Sequence, residues 1–217
     1  MYIKKLKETN NEISFFSYEK NFLKEEDYKK IIYLLNNTND WKDGLSYNGS
    51  NIKRKQKWFH THNNYFCKDW NKKYDRWKSH EYTKDYYYIQ NKIQKYVNIF
   101  LENKDIKKPN INSILINYYE NGDNQIGFHK DNKKSFGDNP TIIILSLGDK
   151  RTIRFERTIP DKISRDKENK HLNFNCELED NSIFIMGGNS QKNWVHSIIK
   201  GEDKNKRFSL TFREHLL

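Results

Sequence analysis

Close to the end of the chain the sequence reads Arg207-Phe208-Ser209-Leu210-Thr211-Phe212-Arg213. Polar and apolar side chains alternate along this run, which is the pattern of a β-strand whose successive residues point to opposite faces. The even spacing of Arg207 and Arg213 puts both guanidinium groups on one face. If that face is buried, the cations require an anion such as a dicarboxylate, which guanidinium binds with two parallel hydrogen bonds. A strand with one face in solvent is the alternative.

Five more short β-rich runs precede this one, and turn residues separate them. The six predicted strands are Ile111–Tyr119, Thr141–Leu147, Thr152–Arg157, Leu172–Leu178, Ser182–Met186 and Phe208–Arg213. Short strands with turn signals and no helices between them predict an antiparallel sandwich or barrel.

The part of the chain before Pro109 has a different pattern. The segments from Glu25 to Asn36 and from Lys84 to Glu102 carry apolar residues at helical spacing. Between them, Asn51 to Lys78 is rich in Lys, Arg and aromatic residues. We therefore predict a mainly β fold with flanking helices. Residues 1–110 would form N-terminal helices and a basic, aromatic elaboration packed on a β core of residues 111–217.

Composition limits the kinds of partner and compartment. The 217 residues include 40 Lys+Arg and 29 Asp+Glu, a net charge of +11. This favours a polyanionic partner, either nucleic acid or an acidic membrane surface, although an AT-rich genome would also raise the lysine content. Cys67 and Cys176 are too few for a zinc–thiolate site or a disulfide framework, and we expect reduced thiols. Without an apolar leader or a membrane-length apolar run, we expect a soluble intracellular protein, nuclear or cytoplasmic.

The segment His129-Lys130-Asp131 places an imidazole and a carboxylate two residues apart. In an extended segment both side chains project from one face and can meet one metal ion. A second imidazole would complete a facial triad, which leaves positions open for a bidentate co-substrate and O₂. His196, after a predicted strand and a glycine turn, is the best candidate among the seven histidines. The alternative is a surface histidine beside a solvated aspartate.

Taken in order, the segments from Leu115 to Arg213 resemble the AlkB-type dioxygenases, and within them the animal-type DNA-repair members. The resemblance is carried by Leu115–Tyr119, Ile126–Asp131, Pro140, Leu145–Gly148 with Arg151, Asn181–Met186, Trp194–His196 and Arg207–Arg213. The family implies a double-stranded β-helix (jelly-roll) core. It also implies Fe(II) as cofactor, with 2-oxoglutarate as co-substrate and O₂ as oxidant.

The resemblance also implies which residues bind the metal and the co-substrate. The iron ligands would be His129, Asp131 and His196, and the residues around 2-oxoglutarate would be Asn117, Tyr119, Arg207, Thr211 and Arg213. Arg213 resembles the arginine that clamps the distal carboxylate of 2-oxoglutarate, and Arg207 the one near its metal-bound end. Ser209 stands where the family has asparagine, which shortens one contact and leaves both arginines.

A methylated base inside a duplex cannot reach a buried iron, so it must be flipped out or presented on a single strand. Residues 53–78 offer cations for phosphates and aromatic rings for stacking, and Arg54-Lys55-Gln56 resembles part of the nucleotide-recognition lid of the repair enzymes. The predicted substrate-binding residues are Arg54, Gln56, Trp58, Tyr65, Phe66 and Asn132. Asn132 replaces an acidic residue of the repair enzymes, so lesion preference does not carry over. Alternatively, these rings pack the helices onto the barrel.

The sequence therefore predicts oxidative demethylation of N-alkylated bases in DNA or RNA, of the 1-methyladenine or 3-methylcytosine type. The protein is expected to be a monomer that binds nucleic acid and no membrane. Two alternatives remain open: a 2-oxoglutarate-dependent hydroxylase of a protein or small molecule, and a nucleic-acid-binding module without enzymatic activity.

Overall fold

The structure is a computed structural model that describes residues 2–7, 13–45, 51–67, 77–158, 173–202 and 205–216. Trp70, His171 and Leu172, which belong to the predicted lid, the histidine set and a predicted strand, lie outside these ranges. In chain order the elements are β1 (Tyr2–Lys7), β2 (Ile13–Glu19), α1 (Glu25–Asn36), β3 (Lys42–Leu45), β4 (Asn51–His60), α2 (Lys84–Phe100), β5 (Ser113–Tyr119), β6 (Ile126–His129), α3 (Lys133–Phe136), β7 (Ile142–Gly148), β8 (Arg151–Arg157), β9 (Asn173–Leu178), β10 (Ser182–Gly188), α4 (Ser190–Asn193), β11 (Trp194–Ile198) and β12 (Arg207–Arg213).

The strands form two antiparallel sheets. The larger sheet has eight strands in the order β1-β2-β10-β7-β12-β5-β4-β3, and the smaller has four in the order β6-β11-β8-β9. The chain passes from the larger to the smaller sheet at Gly148, where φ is +86° and a Cβ atom would lie 2.6 Å from the carbonyl oxygen of Lys206. Only glycine fits such a left-handed turn against a neighbouring backbone. This mainly β, jelly-roll architecture with flanking helices is the predicted fold class.

Two hydrophobic cores lie on opposite faces of the larger sheet. On one face, Phe208, Leu210 and Phe212 of β12 join the buried side chains of α1 and α2. On the other face, side chains of the larger sheet meet the smaller one, and the Phe16 and Trp194 rings lie 5.7 Å apart between centroids. All seven residues of β12 are buried, so the alternative of one solvated face is wrong.

The two helices pack together along their apolar sides and are joined by polar contacts. The hydroxyl of Thr83 accepts a hydrogen bond from the backbone N–H of Tyr86 and caps the start of α2. Asp27 of α1 accepts a 2.6 Å hydrogen bond from the Tyr88 hydroxyl and pairs with Lys92, both on α2. No helix in the described ranges is long and apolar enough to cross a membrane.

Pattern reasoning located both helices and all six predicted strands with ends within two residues of those observed. It missed the strands before residue 110 and the short strands β6 and β11. The basic segment read as a lid contributes β4, which is hydrogen-bonded to β5 with Gln56 opposite Asn117. The first 60 residues contribute four strands to the larger sheet, so the parts of the chain before and after residue 110 share this sheet.

Two buried histidines, His60 at the end of β4 and His215 after β12, face each other. The rings of His60 and His215 lie 5.0 Å apart between centroids, and both residues are at most 3% exposed. Burial lowers the pKa of His60 to about 4, against its ordinary value of 6.5. The folded state therefore keeps this imidazole neutral at pH values where the unfolded chain protonates it.

We expect this burial to weaken the fold on acidification. Because the folded pKa of His60 is depressed, its contribution is complete above about pH 6.5 and is lost as the pH falls toward 4. When the pH is lowered from 7 to 4.5, the free energy of unfolding should fall in both proteins. The fall should be about 1–3 kcal/mol smaller in His60→Gln than in the parent. Urea unfolding at both pH values measures this, with the exposed neighbour His62→Gln as control. Equal pH dependence of parent and His60→Gln would contradict the expectation.

Candidate metal and co-substrate site

A cavity of about 360 Å³ lies between the two sheets and collects most of the predicted site residues. The predicted residues that line it are Arg54, Gln56, Phe66, Asn117, Tyr119, His129, Asp131, Asn132, His196, Thr211 and Arg213. Arg207, Trp58 and Tyr65 are not among its lining residues. The cavity thus brings together residues from both halves of the sequence.

The register of the smaller sheet places two histidines side by side. His129 of β6 lies directly opposite His196 of β11, and their ring centroids are 4.3 Å apart. Directly opposed residues of antiparallel strands have their Cβ atoms about 5 Å apart, so both rings reach the same point. The Nδ1–H of His129 donates to the carbonyl oxygen of Gly127 at 2.9 Å, which leaves its Nε2 lone pair free for a metal.

Burial keeps both imidazoles neutral, the form that binds a metal. It lowers the pKa of His196 to about 3, with a further contribution from nearby His129. Burial also lowers the pKa of His129, although the charge of Asp131 partly opposes it. His196 is 5% exposed, and its Nδ1 has no hydrogen-bond partner among the described residues. A buried imidazole with an unpartnered nitrogen has the chemistry of a metal ligand.

Asp131 forms a buried ion pair with Arg213. The Nε and Nη2 atoms of Arg213 each donate to one carboxylate oxygen at 3.0 Å. Burial alone would raise the pKa of Asp131, but Arg213 and then the two histidines hold it below its ordinary value. In these positions no three His, Cys, Asp or Glu side chains of the described ranges form a group able to hold a metal. Each carboxylate oxygen retains a second lone pair, so Asp131 can keep Arg213 and still turn toward an ion between the histidines.

The structure places the two arginines at opposite ends of β12, in different surroundings. Arg213 pairs with Asp131, a predicted metal ligand, and Arg207 lies at the opposite end of β12 beside Tyr119 and Gly148. Six residues along a strand span about 20 Å, and the spacing alone does not say which end is nearer the metal.

Arg207 is a buried cation with no carboxylate partner among the described residues. It is fully buried, its Nε donates to the Ser146 hydroxyl at 2.9 Å, and its guanidinium carbon lies 4.9 Å from the centroid of the Tyr119 ring. Burial lowers its pKa. Within the described part of the chain, its Nη1 and Nη2 have no hydrogen-bond partner. Two unused donors on a buried guanidinium are what a carboxylate requires.

Asn117 links strand β4 to the cavity. Its Oδ1 accepts from the Nε of Arg54 at 2.8 Å and from the Nε2 of Gln56 at 3.1 Å. Both donors can only meet the amide oxygen, so the amide orientation is determined and the Nδ2 group is left for a bound molecule. The predicted substrate residues Arg54 and Gln56 therefore contact a predicted co-substrate residue directly.

Two predicted substrate-binding residues have other surroundings. Trp58 is 2% exposed, and its ring packs against Phe66 and His215 at centroid distances of 5.3 and 5.2 Å. Tyr65 is half-buried and pairs with Lys78 in an isolated bridge. Trp58 thus packs within a small cluster with Phe66, Leu115 and Phe136, and not against the helices α1 and α2.

Asn132 has a structural task as well as a place in the cavity wall. Its side-chain oxygen accepts from the backbone N–H groups of Lys134 and Ser135 and caps α3. Pattern reasoning missed other lining residues, among them Trp77, Lys130 and Met186. Trp77 could have been predicted, because it lies in the aromatic-rich segment Asn51–Lys78. No sequence pattern marks Lys130 or Met186 as a cavity residue.

Comparison with known proteins identifies the family. The sequence profile of the 2OG-Fe(II) oxygenase superfamily matches residues 15–213. The chain belongs to the 2OG-Fe(II) oxygenase superfamily. Fe(II), 2-oxoglutarate and O₂ are the cofactor and reactants of this superfamily. The residues present fit them, since the unpartnered donors of Arg207 suit a carboxylate and the neutral histidine pair suits a metal.

Relatives within the superfamily support the AlkB-type assignment. The chain is 30% identical over 103 residues to the rat "Alpha-ketoglutarate-dependent dioxygenase alkB homolog 3", covering 47% of this chain and 35% of that protein. It is 26% identical over 116 residues to the "DNA oxidative demethylase ALKBH2" of Arabidopsis thaliana, covering 47% and 37%. It is 31% identical over 106 residues to the "RNA replication polyprotein" of Citrus leaf blotch virus, covering 48% and 4%. This oxygenase thus spans little more than a third of the length of the first two.

The fold of this oxygenase is also that of a solved relative. "The structure of OsALKBH1" superposes with a TM-score of 0.60 at 17% identity, covering 91% of this chain and 97% of the other. At that identity the likeness concerns the fold. The superposed 91% of the chain exceeds the β half in which the sequence resemblance was found.

Proposed function

We propose that this chain is an Fe(II)- and 2-oxoglutarate-dependent dioxygenase that removes N-linked methyl groups from nucleobases, of the 1-methyladenine or 3-methylcytosine type, in DNA or RNA. One observation carries the proposal: a single cavity contains the opposed histidines with Asp131 and, across from them, residues of the basic strand β4. Metal chemistry and a nucleic-acid-binding surface therefore meet at the same point.

The metal would be held by His129, His196 and Asp131. The two rings are adjacent and neutral, and the hydrogen bond to Gly127 directs the Nε2 of His129 toward the cavity. Two histidines and one carboxylate leave open positions on an iron ion for the co-substrate and O₂. Arg213 would keep the Asp131 carboxylate ionised and oriented.

The co-substrate would lie along β12, between the metal and Arg207. Arg207 would bind the distal carboxylate through its unused Nη1 and Nη2 donors, and Arg213 would face the metal-bound end. Asn117 offers its Nδ2 donor, and Tyr119 and Thr211 line the same wall. These residues would orient 2-oxoglutarate and exclude water, which is how a protein contributes to chemistry that belongs to its cofactor.

Bound iron and 2-oxoglutarate supply the oxidising chemistry, in which O₂ is consumed and 2-oxoglutarate loses CO₂ to become succinate. One oxygen atom goes to succinate, and the other is inserted into a C–H bond of the N-methyl group. The resulting hydroxymethyl group would then leave as formaldehyde with release of its hydroxyl proton, and the ring nitrogen would keep the bonding electron pair as its lone pair.

Several features favour a nucleic acid as substrate. The net charge is +11, and two lysines are exposed: Lys53, next to the cavity residue Arg54, and Lys130, which lines the cavity. Phe66 and Trp77 line the cavity and offer aromatic faces to a flipped base. The names of two relatives, an alkB homolog and a DNA oxidative demethylase, agree with this class of substrate. We expect the protein to act as a monomer.

The proposal is tested with purified protein, Fe(II), 2-oxoglutarate and oligonucleotides that carry 1-methyladenine or 3-methylcytosine. We expect equal amounts of formaldehyde, succinate and repaired base on at least one of single-stranded DNA, duplex DNA and RNA. No repaired base on any of the three would remove the nucleobase proposal. Succinate release stimulated by a protein or small molecule would then favour the hydroxylase alternative, and inability to bind Fe(II) the non-enzymatic one.

Neighbouring cations on β4 should have separable effects. Lys53 is exposed, so Lys53→Gln should raise the KM for oligonucleotide and reduce the slope of log KM against log salt by about 1. Arg54 holds Asn117, so Arg54→Gln should raise the KM for 2-oxoglutarate several-fold. Each variant removes one charge and serves as the control for the other. If Lys53→Gln and Arg54→Gln changed the KM for oligonucleotide and the KM for 2-oxoglutarate equally, the separate roles of Lys53 and Arg54 would be contradicted.

A further inference from the structure

Gln191 joins the two chain segments that carry the proposed metal ligands. It lies on α4, five residues before His196, and is 7% exposed. Its Oε1 accepts a hydrogen bond from the backbone N–H of Asp131 at 2.8 Å. A backbone N–H can only donate, so the amide orientation is determined. The Nε2 group then faces the sulfur of Met186 at 3.4 Å, and Met186 lines the cavity.

Asp131 depends on such a contact because the sheet does not hold it. Strand β6 ends at His129, and its pairing with β11 is recorded at His129 and Ile126. Asp131 lies two residues beyond the strand, where no backbone ladder restrains it. The preceding Lys130 is tied to the same turn, because its Nζ donates to the carbonyl oxygen of Lys192.

The turn that carries Gln191 is itself anchored at both ends. The backbone N–H of Asn189 donates to Ile13 of β2 at 2.9 Å, and the carbonyl oxygen of Asn193 accepts from Thr158 at 2.7 Å. The turn around Gln191 is therefore hydrogen-bonded to segments of both sheets. It continues directly into β11, which carries His196.

We propose that Gln191 is a positioning residue that sets the backbone of Asp131 so that its carboxylate reaches the point shared by His129 and His196. The inference rests on the proposed role of Asp131 as an iron ligand. A loop restrained by this hydrogen bond would need less ordering when a metal ion binds. Losing a group that orients a metal ligand weakens metal affinity by about 10- to 100-fold.

The test compares Gln191→Met, which keeps the shape and removes the acceptor, with Gln191→Glu, which keeps an acceptor oxygen. Titration with Co(II), a spectroscopic substitute for Fe(II), should show affinity reduced roughly 10- to 100-fold in Gln191→Met and within about threefold of the parent in Gln191→Glu. In the metal-free protein, amide hydrogen exchange at Asp131 should be faster in Gln191→Met alone. If that variant does not fold, Gln191→Ser, whose hydroxyl is too short to reach Asp131, replaces it.

Gln90 provides a matched control. It is also 7% exposed and accepts one hydrogen bond, from the Tyr82 hydroxyl at 2.6 Å, on the helical side of the larger sheet. Gln90→Met should lower stability without changing Co(II) affinity or exchange at Asp131. Unchanged exchange at Asp131 in Gln191→Met, or Co(II) affinity equal to that of the parent, would overturn the proposal. Failure of the ligand assignment itself has a different signature, since Asp131→Asn would then bind Co(II) as tightly as the parent.

Discussion

Replacing Asp131 with alanine is expected to abolish turnover and to destabilise the fold. Turnover should fall by roughly 10³-fold or more, because the metal loses its carboxylate ligand. The free energy of unfolding should fall by about 3–5 kcal/mol, because the Arg213 guanidinium would remain buried without a counter-charge. The side chains of both residues are 6% exposed, so water does not replace the lost partner. Formaldehyde release and urea unfolding of the metal-free protein measure the two effects.

A double variant separates the two roles of this carboxylate. Asp131→Ala combined with Arg213→Met removes both charges and should recover most of the lost stability without restoring turnover. Asp131→Asn should retain hydrogen bonding to Arg213 yet bind metal poorly. Equal stabilities of Asp131→Ala and the double variant would show that the ion pair does not contribute as described. Retained turnover in Asp131→Ala would remove Asp131 from the metal site.

Arg207→Met is expected to have opposite effects on stability and on co-substrate binding. Arg207 is fully buried with two unused donors, so methionine should stabilise the co-substrate-free protein by about 1–4 kcal/mol. The affinity for 2-oxoglutarate should fall roughly 100-fold, because the distal carboxylate loses its cation. A residue of this kind binds a ligand and lowers the stability of the ligand-free protein, which is common in functional sites.

Thermal unfolding with and without 2-oxoglutarate, in the presence of Mn(II), measures both effects. At about 100 times its Kd, 2-oxoglutarate should stabilise the parent by about 2.7 kcal/mol, and the same concentration should leave the Tm of Arg207→Met almost unchanged. Lys206→Met removes the adjacent exposed cation and should behave like the parent. A normal response of Arg207→Met to 2-oxoglutarate would place the distal carboxylate elsewhere.

The sequence predicted those strands and helices in which the side chains that face the core are apolar and those that face away from it are polar. Phe208, Leu210 and Phe212 alternate with polar residues in β12, and α2 repeats apolar residues at helical spacing. Strand β4 gave no such signal, because its inward residues Arg54 and Gln56 are as polar as Lys53, Lys55 and Lys57, which alternate with them. Only their contacts with Asn117, more than 60 positions later, explain that polarity.

The sequence by itself determined the fold class, the three proposed metal ligands and the presence of two inward arginines on β12, because these depend on local alternation and on the order of short motifs. The tertiary structure alone showed that Arg213 rather than Arg207 pairs with Asp131, that Trp58 packs in the interior, and that Gln191 accepts a hydrogen bond from Asp131. These outcomes depend on hydrogen-bond register and side-chain packing between segments distant in the chain. The pairing of His129 with His196 is of this kind. The two residues are far apart in sequence, but the register of β6 and β11 places their ring centroids 4.3 Å apart.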